Sequence, residues 1–249
     1  MTTRPVWSRP AFEPALSNRE VHVWRAFLDQ PPNRICQLTL LLSADERARA
    51  ERFRFERDRR RFIVGRGILR SILGRYLCMA PDRVQFCTGA YGKPHLAASH
   101  GCSALCFNLA HSCELVLYAL TLGRKVGVDL EYLRPMPDAA QIAQQFFSPF
   151  EYETWRALPE AQKQEAFFNC WTRKEAYLKA IGEGMARSLD SFDVSLVPGQ
   201  PARLYSVNGR SDEAKCWSLT TFVPAANSLA TVAVEGSGCR ALYLEYPSG

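Results

Sequence analysis

At Gly123, halfway along this chain of 249 residues, one series of strands and helices ends and a loosely similar series begins. The first series opens with an expected strand over 20–27, stopped by Asp29-Gln-Pro-Pro. Ser43 then reads as an N-cap, and Glu46 three residues on completes a capping box for a helix running to about Phe55. A second helix is expected over 58–77, where Phe62, Ile63, Leu69, Ile72, Leu73 and Tyr76 recur at helical spacing, with Pro81 closing it. A short strand over 84–88, a turn at Ala90-Tyr-Gly-Lys-Pro and strands over 104–109 and 114–122 complete the half.

After Gly123 the spacing predicts a strand over 125–132 and a helix over 138–147. A further helix opens at Ser148-Pro149 and runs through Trp155, with proline at its first position. The longest later helix is expected over 164–181, stopped by Gly182 and Gly184, followed by strands over 192–197, 215–222 and 229–234. The class is α+β, in two similar halves split as 1–122 and 123–249.

The longest apolar stretch, Leu115 to Leu122, is far too short to cross a bilayer. The first 17 residues hold three prolines and no apolar core of a signal peptide, so a cytoplasmic location is expected. Nine cysteines, an odd number without a C-x-x-C pair, point to reduced thiols. Cys78, Cys106 and Cys170 sit in apolar runs and read as small hydrophobes.

The net charge of +6 is modest, yet eight arginines fall between Arg47 and Arg61. That block suits an anionic partner, whether phosphate, nucleic acid or an acidic protein. Five acidic residues mixed into it (Asp45, Glu46, Glu51, Glu56, Asp58) suit a solvated face laced with ion pairs equally well.

Two segments carry candidate chemistry. In the strand Val126-Gly-Val-Asp-Leu-Glu-Tyr132, alternation puts Gly127, Asp129 and Glu131 on one face. Two carboxylates that close repel unless a cation lies between them, and Mg²⁺ takes such oxygens together with water and substrate phosphates. Gly127 would let a ligand come near. An exposed acidic face is the plainer reading of the same pattern. In the expected helix 164–181, Phe167, Trp171, Leu178 and Ile181 form an apolar stripe with Lys174 inside it, and Glu175 and Lys179 stand four residues apart one row over. A surface ion pair beside a buried face, with the Lys174 stem packed, competes here with a helix that aims Glu175 at a metal and Lys179 at a phosphate.

Taken together, Gly127-x-Asp129-x-Glu131 and, some forty residues on, Trp171-x-x-Lys174-Glu175-Ala176 resemble the paired motif of the 4'-phosphopantetheinyl transferase superfamily. The length and two-half layout are similar to its larger, surfactin-synthetase-activating (Sfp-type) class. Tyr91-Gly-Lys-Pro94 resembles a coenzyme A-contacting loop, and Phe107-Asn-Leu-Ala-His-Ser112, Phe146-Phe-Ser-x-x-Glu-Tyr152 and Ser188-Leu-Asp-Ser-Phe192 resemble further family segments. Two departures stand out: Ala110 where a serine is common, which removes a hydroxyl contact to phosphate, and Glu46 where a lysine is often found, which leaves that contact to Arg47 or Arg49.

The resemblance implies a fold of two pseudo-symmetric halves with the active site between them. It implies Asp129, Glu131 and Glu175 as Mg²⁺ ligands, Glu175 also as general base, directly or through a water, and Lys179 on the pantetheine-side phosphate. Arg49 and Arg61 would hold the 3'-phosphate of coenzyme A, the arginine fork suiting phosphate oxygens. Lys93 and Pro94 would approach the nucleotide, with Ala110 and His111 beside its phosphates. Lys174 is a second cationic candidate, and Glu151 would order the site or pair with a cation. The implied acceptor is a small acidic carrier protein, docked near 147–152 or after Ser112, and fused halves imply a monomer. A nucleic-acid-binding module built on the arginine block, a Mg²⁺-dependent nucleotide phosphohydrolase and a coenzyme A binder without transfer are the alternatives. No zinc, RRM or KH pattern supports the first.

Overall fold

The computed structural model describes residues 2–10, 15–100 and 104–247. Its first half holds strand β1 (Glu20–Phe27), helices α1 (Pro32–Leu40), α2 (Ala44–Glu51) and α3 (Glu56–Leu77), the short strands β2 (Phe86–Thr88) and β3 (Pro94–Leu96), and strands β4 (Leu105–Ser112) and β5 (Leu115–Leu122). The second half holds β6 (Val126–Tyr132), α4 (Ala139–Phe146), α5 (Pro149–Arg156), α6 (Glu160–Ile181), β7 (Phe192–Val194), β8 (Leu204–Val207), α7 (Ser211–Ala214), β9 (Trp217–Phe222), β10 (Ser228–Glu235) and β11 (Arg240–Glu245). The architecture is α+β, and each half sets a 22-residue helix against its sheet.

Local chemistry explains most of these elements. Glu46 accepts from the Ser43 backbone N–H at 3.0 Å, and Ser148 and Glu151 exchange the equivalent pair at the start of α5, so both expected capping boxes form. Helix α1 was not expected. Its Pro31-Pro32 reads as a stop, but proline at the first helical position serves as a start. Helix α2 ends at Glu51, short of Phe55, and α6 begins at Glu160, about a turn before the expected start at 164. Strands β8 and β11 and helix α7 were also missed. Cys170 is buried and Cys106 half-buried, whereas Cys78 is exposed because it forms the left-handed cap of α3 at φ 50°. Cys102 lies outside the described residues.

Strands β2-β3 and β7-β8 form two-stranded ribbons, and the two larger sheets run β11-β1-β5-β4 and β6-β10-β9. The chain passes from one to the other at the β5–β6 turn, where Gly123 adopts φ +69°. They meet edge to edge at β4 and β6 through side chains: Val128 N–H donates to Asn108 Oδ1 at 2.8 Å, and Tyr132 N–H to Ser112 Oγ at 3.0 Å. Helix α3 packs on one face of the first sheet around Trp24, Leu69, Leu73 and Tyr118. The inner faces of both sheets share an apolar cluster with Val23, Leu117, Val128 and Val232 at its centre. The termini cross between the halves. Strand β11 pairs in parallel with β1, and Thr3 bridges to Phe222 of β9. Among the described residues no helix is long and apolar enough to cross a membrane.

Candidate active site

Strand β6 alternates as its sequence requires. Val126, Val128 and Leu130 enter the shared apolar cluster, which turns Gly127, Asp129 and Glu131 toward α6. Gly127 does not make room for a ligand there. A Cβ at this position would lie 2.1 Å from the Ala176 carbonyl oxygen and 2.3 Å from the Ala180 nitrogen, so glycine admits the backbone of α6 itself. This close approach brings Glu175 and Lys179, one helical turn apart, against the acidic face of β6.

Lys179 Nζ donates to Asp129 Oδ1 at 2.6 Å, while Asp129 Oδ2 is enclosed and has no partner. Burial and then the negative charge of Asp129 push Glu131 up to about 7, and the same two causes raise Glu175. Three carboxylates thus crowd a desolvated seam faced by one lysine. Among the described residues no three acidic, histidine or cysteine side chains are grouped so that they could hold a metal ion as they stand. The donor set nevertheless fits a hard divalent cation. It is all oxygen, one oxygen is orphaned, and the mutual repulsion is of the kind a cation relieves while water and phosphate complete its shell.

His111 stands exposed at the end of β4. Partial removal from water, then the nearby positive charges of Lys179 and Arg61, hold its pKa below the ordinary value. Arg61 pairs with Glu114 across the β4–β5 turn, and its Nε is enclosed without a partner. Arg49 lies over the Phe62 ring at 5.3 Å. Other members of the arginine block make exposed ion pairs, Arg60 to Glu56 at 3.0 Å and Arg57 to Asp58 at 3.5 Å among them.

Four of the residues singled out from the sequence are held by the surrounding fold. Lys93 was expected to approach the nucleotide, but its ammonium turns inward to the backbone carbonyls of Val126, Lys179 and Ala180 at 3.0, 2.6 and 3.1 Å. Ala110 was placed beside phosphate, but its side chain is buried in the cluster shared by the two sheets. Glu46 is a buried hub whose carboxylate accepts from Arg66 Nε and Arg70 Nε, each at 2.6 Å, so its acidity serves the fold. Lys174 is wholly buried and ion-paired with Glu151 at 2.7 Å; it also donates to the Leu189 and Phe192 carbonyls. Glu151 takes Val194 N–H at 2.7 Å with its other oxygen, which locks α5, α6 and β7 together.

Glu151→Ala should therefore cost about 3–5 kcal/mol, because Lys174 would remain buried without its counter-charge. Urea denaturation of the purified variant measures this. A loss under about 1 kcal/mol would show that the pair is not a structural lock.

A cavity of about 520 Å³ opens beside these groups, between the β2–β3 turn and the C-terminal end of α6. Tyr91, Lys93 and Pro94 line one side, and Glu175 and Lys179 another. Phe146, Leu178 and Leu189, each named above in a stripe or a family-like segment, also line it, as does Arg187, which was not singled out from the sequence. The only sequence signal at Arg187 is its position, next to the Ser188-Leu-Asp segment.

Clustered carboxylates and a lysine beside a cavity suit transfer of a phosphorylated group, where positioning and charge neutralisation do most of the catalysis. The class is a transferase. Residues 125–233 match the family model described as 4'-phosphopantetheinyl transferase superfamily, and residues 29–122 that of the 4'-phosphopantetheinyl transferase N-terminal region. The chain is 48% identical over 231 residues to the 4'-phosphopantetheinyl transferase HetI of Nostoc sp., covering 93% of this chain and 94% of that one. It is 31% identical over 158 residues to the 4'-phosphopantetheinyl transferase Sfp of Bacillus subtilis, covering 62% and 66%. It is 35% identical over 163 residues to psf-1 of Bacillus pumilus, covering 64% and 66%. The chain belongs to the 4'-phosphopantetheinyl transferase superfamily.

Proposed function

We propose that Asp129, Glu131 and Glu175 hold Mg²⁺ while the 4'-phosphopantetheine arm of coenzyme A passes to a serine of an apo carrier protein. The observation that supports this most is Asp129, with one oxygen unpartnered and the other on Lys179, raising the nearby Glu131 and Glu175 by its charge. When bound, the ion would neutralise charge on the pyrophosphate. The serine oxygen forms a bond to the phosphorus that carries pantetheine, the bond from that phosphorus to the bridging oxygen breaks, and adenosine 3',5'-bisphosphate leaves. The serine proton goes to Glu175, directly or through a water. Lys179 exchanges Asp129 for the pantetheine-side phosphate and stabilises its transition-state charge. Arg61, Arg49 and His111 take the nucleotide phosphates, and Pro94, with the backbone at Ala110, lies along the nucleotide.

In this reading residues 1–122 supply nucleotide binding, and 123–249 the metal site and catalytic helix. The protein works as a cytoplasmic monomer, and the basic surface draws in an acidic carrier. Incubating the protein with apo carrier protein, coenzyme A and Mg²⁺ tests the reading by intact mass. The expected result is a gain of one phosphopantetheine, abolished by EDTA. Transfer undiminished in EDTA would remove the metal from the proposal.

A further inference from the structure

Lys93 sits on the tight turn between β2 and β3, pinned by hydrogen bonds from Gly89 N–H to the Lys93 carbonyl at 2.9 Å and from Gly92 N–H to the Gly89 carbonyl at 3.0 Å. Its ammonium does not face the cavity as a free charge. It donates to three backbone carbonyls, and two of them, those of Lys179 and Ala180, belong to the last turn of α6. Helix ends leave such carbonyls without intrahelical donors, and a cation there also suits the negative end of the helix dipole. Gly182 N–H satisfies only the Leu178 carbonyl. Gly182 itself, at φ +77°, lies against the Lys93 stem, where a Cβ would come within 3.2 Å of its Cδ. The third acceptor, Val126, opens the strand that carries Asp129 and Glu131.

We propose that Lys93 is a positioning residue: a latch that caps the catalytic helix, ties it to β6 and to the cavity turn, and so fixes Lys179 and Glu175 relative to Asp129. The inference rests on the roles proposed for Glu175 and Lys179.

Lys93→Met keeps the stem and deletes the donors; Lys93→Arg restores donors. Three quantities are read: coenzyme A affinity by calorimetry without carrier, kcat and KM for transfer, and amide hydrogen exchange over 178–182. The expected result for Lys93→Met is a kcat lowered about tenfold to a hundredfold, as small misplacements of reacting groups produce. Coenzyme A affinity should stay within about threefold, and exchange at the end of α6 should quicken about tenfold. Lys93→Arg should recover most of the kcat. Coenzyme A affinity weakened tenfold or more with kcat intact would make Lys93 a nucleotide ligand and overturn the latch, as would unchanged exchange. If Lys93→Met does not fold, Lys93→Gln replaces it, and failure of both to fold reduces Lys93 to a purely structural residue. Error in the roles of Glu175 and Lys179 shows separately, as transfer that survives Glu175→Gln, whereas the exchange data bear on the latch alone.

Discussion

Glu175→Gln should lower carrier modification about a thousandfold, the scale expected when one substitution removes a proton acceptor. The substitution keeps the side-chain volume and takes away one negative charge. Burial and the Asp129 charge already disfavour the ionised form of Glu175 in the folded protein. A carboxyl with a raised pKa binds its proton more tightly folded than unfolded. Its ionisation therefore costs stability as pH rises through the range between the two values. The glutamine variant should melt at or above the wild-type temperature at pH 8 in the absence of divalent ions. Asp129→Asn should lose comparable activity but gain no stability, because it takes the counter-charge from Lys179. Intact-mass time courses and thermal melts of the two variants check this. Transfer within about tenfold of wild type in Glu175→Gln would remove Glu175 from both proposed roles.

Gly127→Ala should damage folding and activity together. The added methyl would meet the Ala176 carbonyl oxygen and the Ala180 nitrogen and Cα, the last at 2.9 Å. These are backbone atoms of one helix, so no side-chain rotation relieves the overlap, and α6 must lift from β6. Overpacking of a close seam costs about 3 kcal/mol. A shift of about 1 Å in the helix carrying Glu175 and Lys179 would cost about a hundredfold in rate. Urea denaturation and the transfer assay read the two effects independently. A variant with wild-type stability and rate would show that the seam is looser than its geometry implies.

The physics of the sequence reached some features and stopped short of others. Strand β1 and the two capping boxes were legible because their signals, alternation and a side chain three residues from a backbone N–H, are complete within a few residues. The facing of Asp129 and Glu131 followed from strand periodicity alone. Pro31-Pro32 misled because proline favours a helix start as readily as it breaks one. Lys174 and Glu151 each gave an ambiguous local pattern, since a buried pair and two exposed ends look alike until α5 and α6 are packed. Ala110 was read against a pattern of hydroxyls at that position. Its actual surroundings are an apolar cluster to which β1, β5, β6, β9 and β10 also contribute.

The sequence by itself determined the α+β class and the superfamily, because residue type, period and motif spacing are properties of the chain. The tertiary structure alone decided that Gly127 receives a helix rather than a ligand and that Asp129 pairs with Lys179. It alone turned Lys93 inward and placed β11 in the first sheet. Each of these joins atoms far apart in sequence, Asp129 and Lys179 by fifty residues and β1 and β11 by over two hundred. Such contacts are set by which surfaces bury apolar area together and which buried polar atoms then find partners.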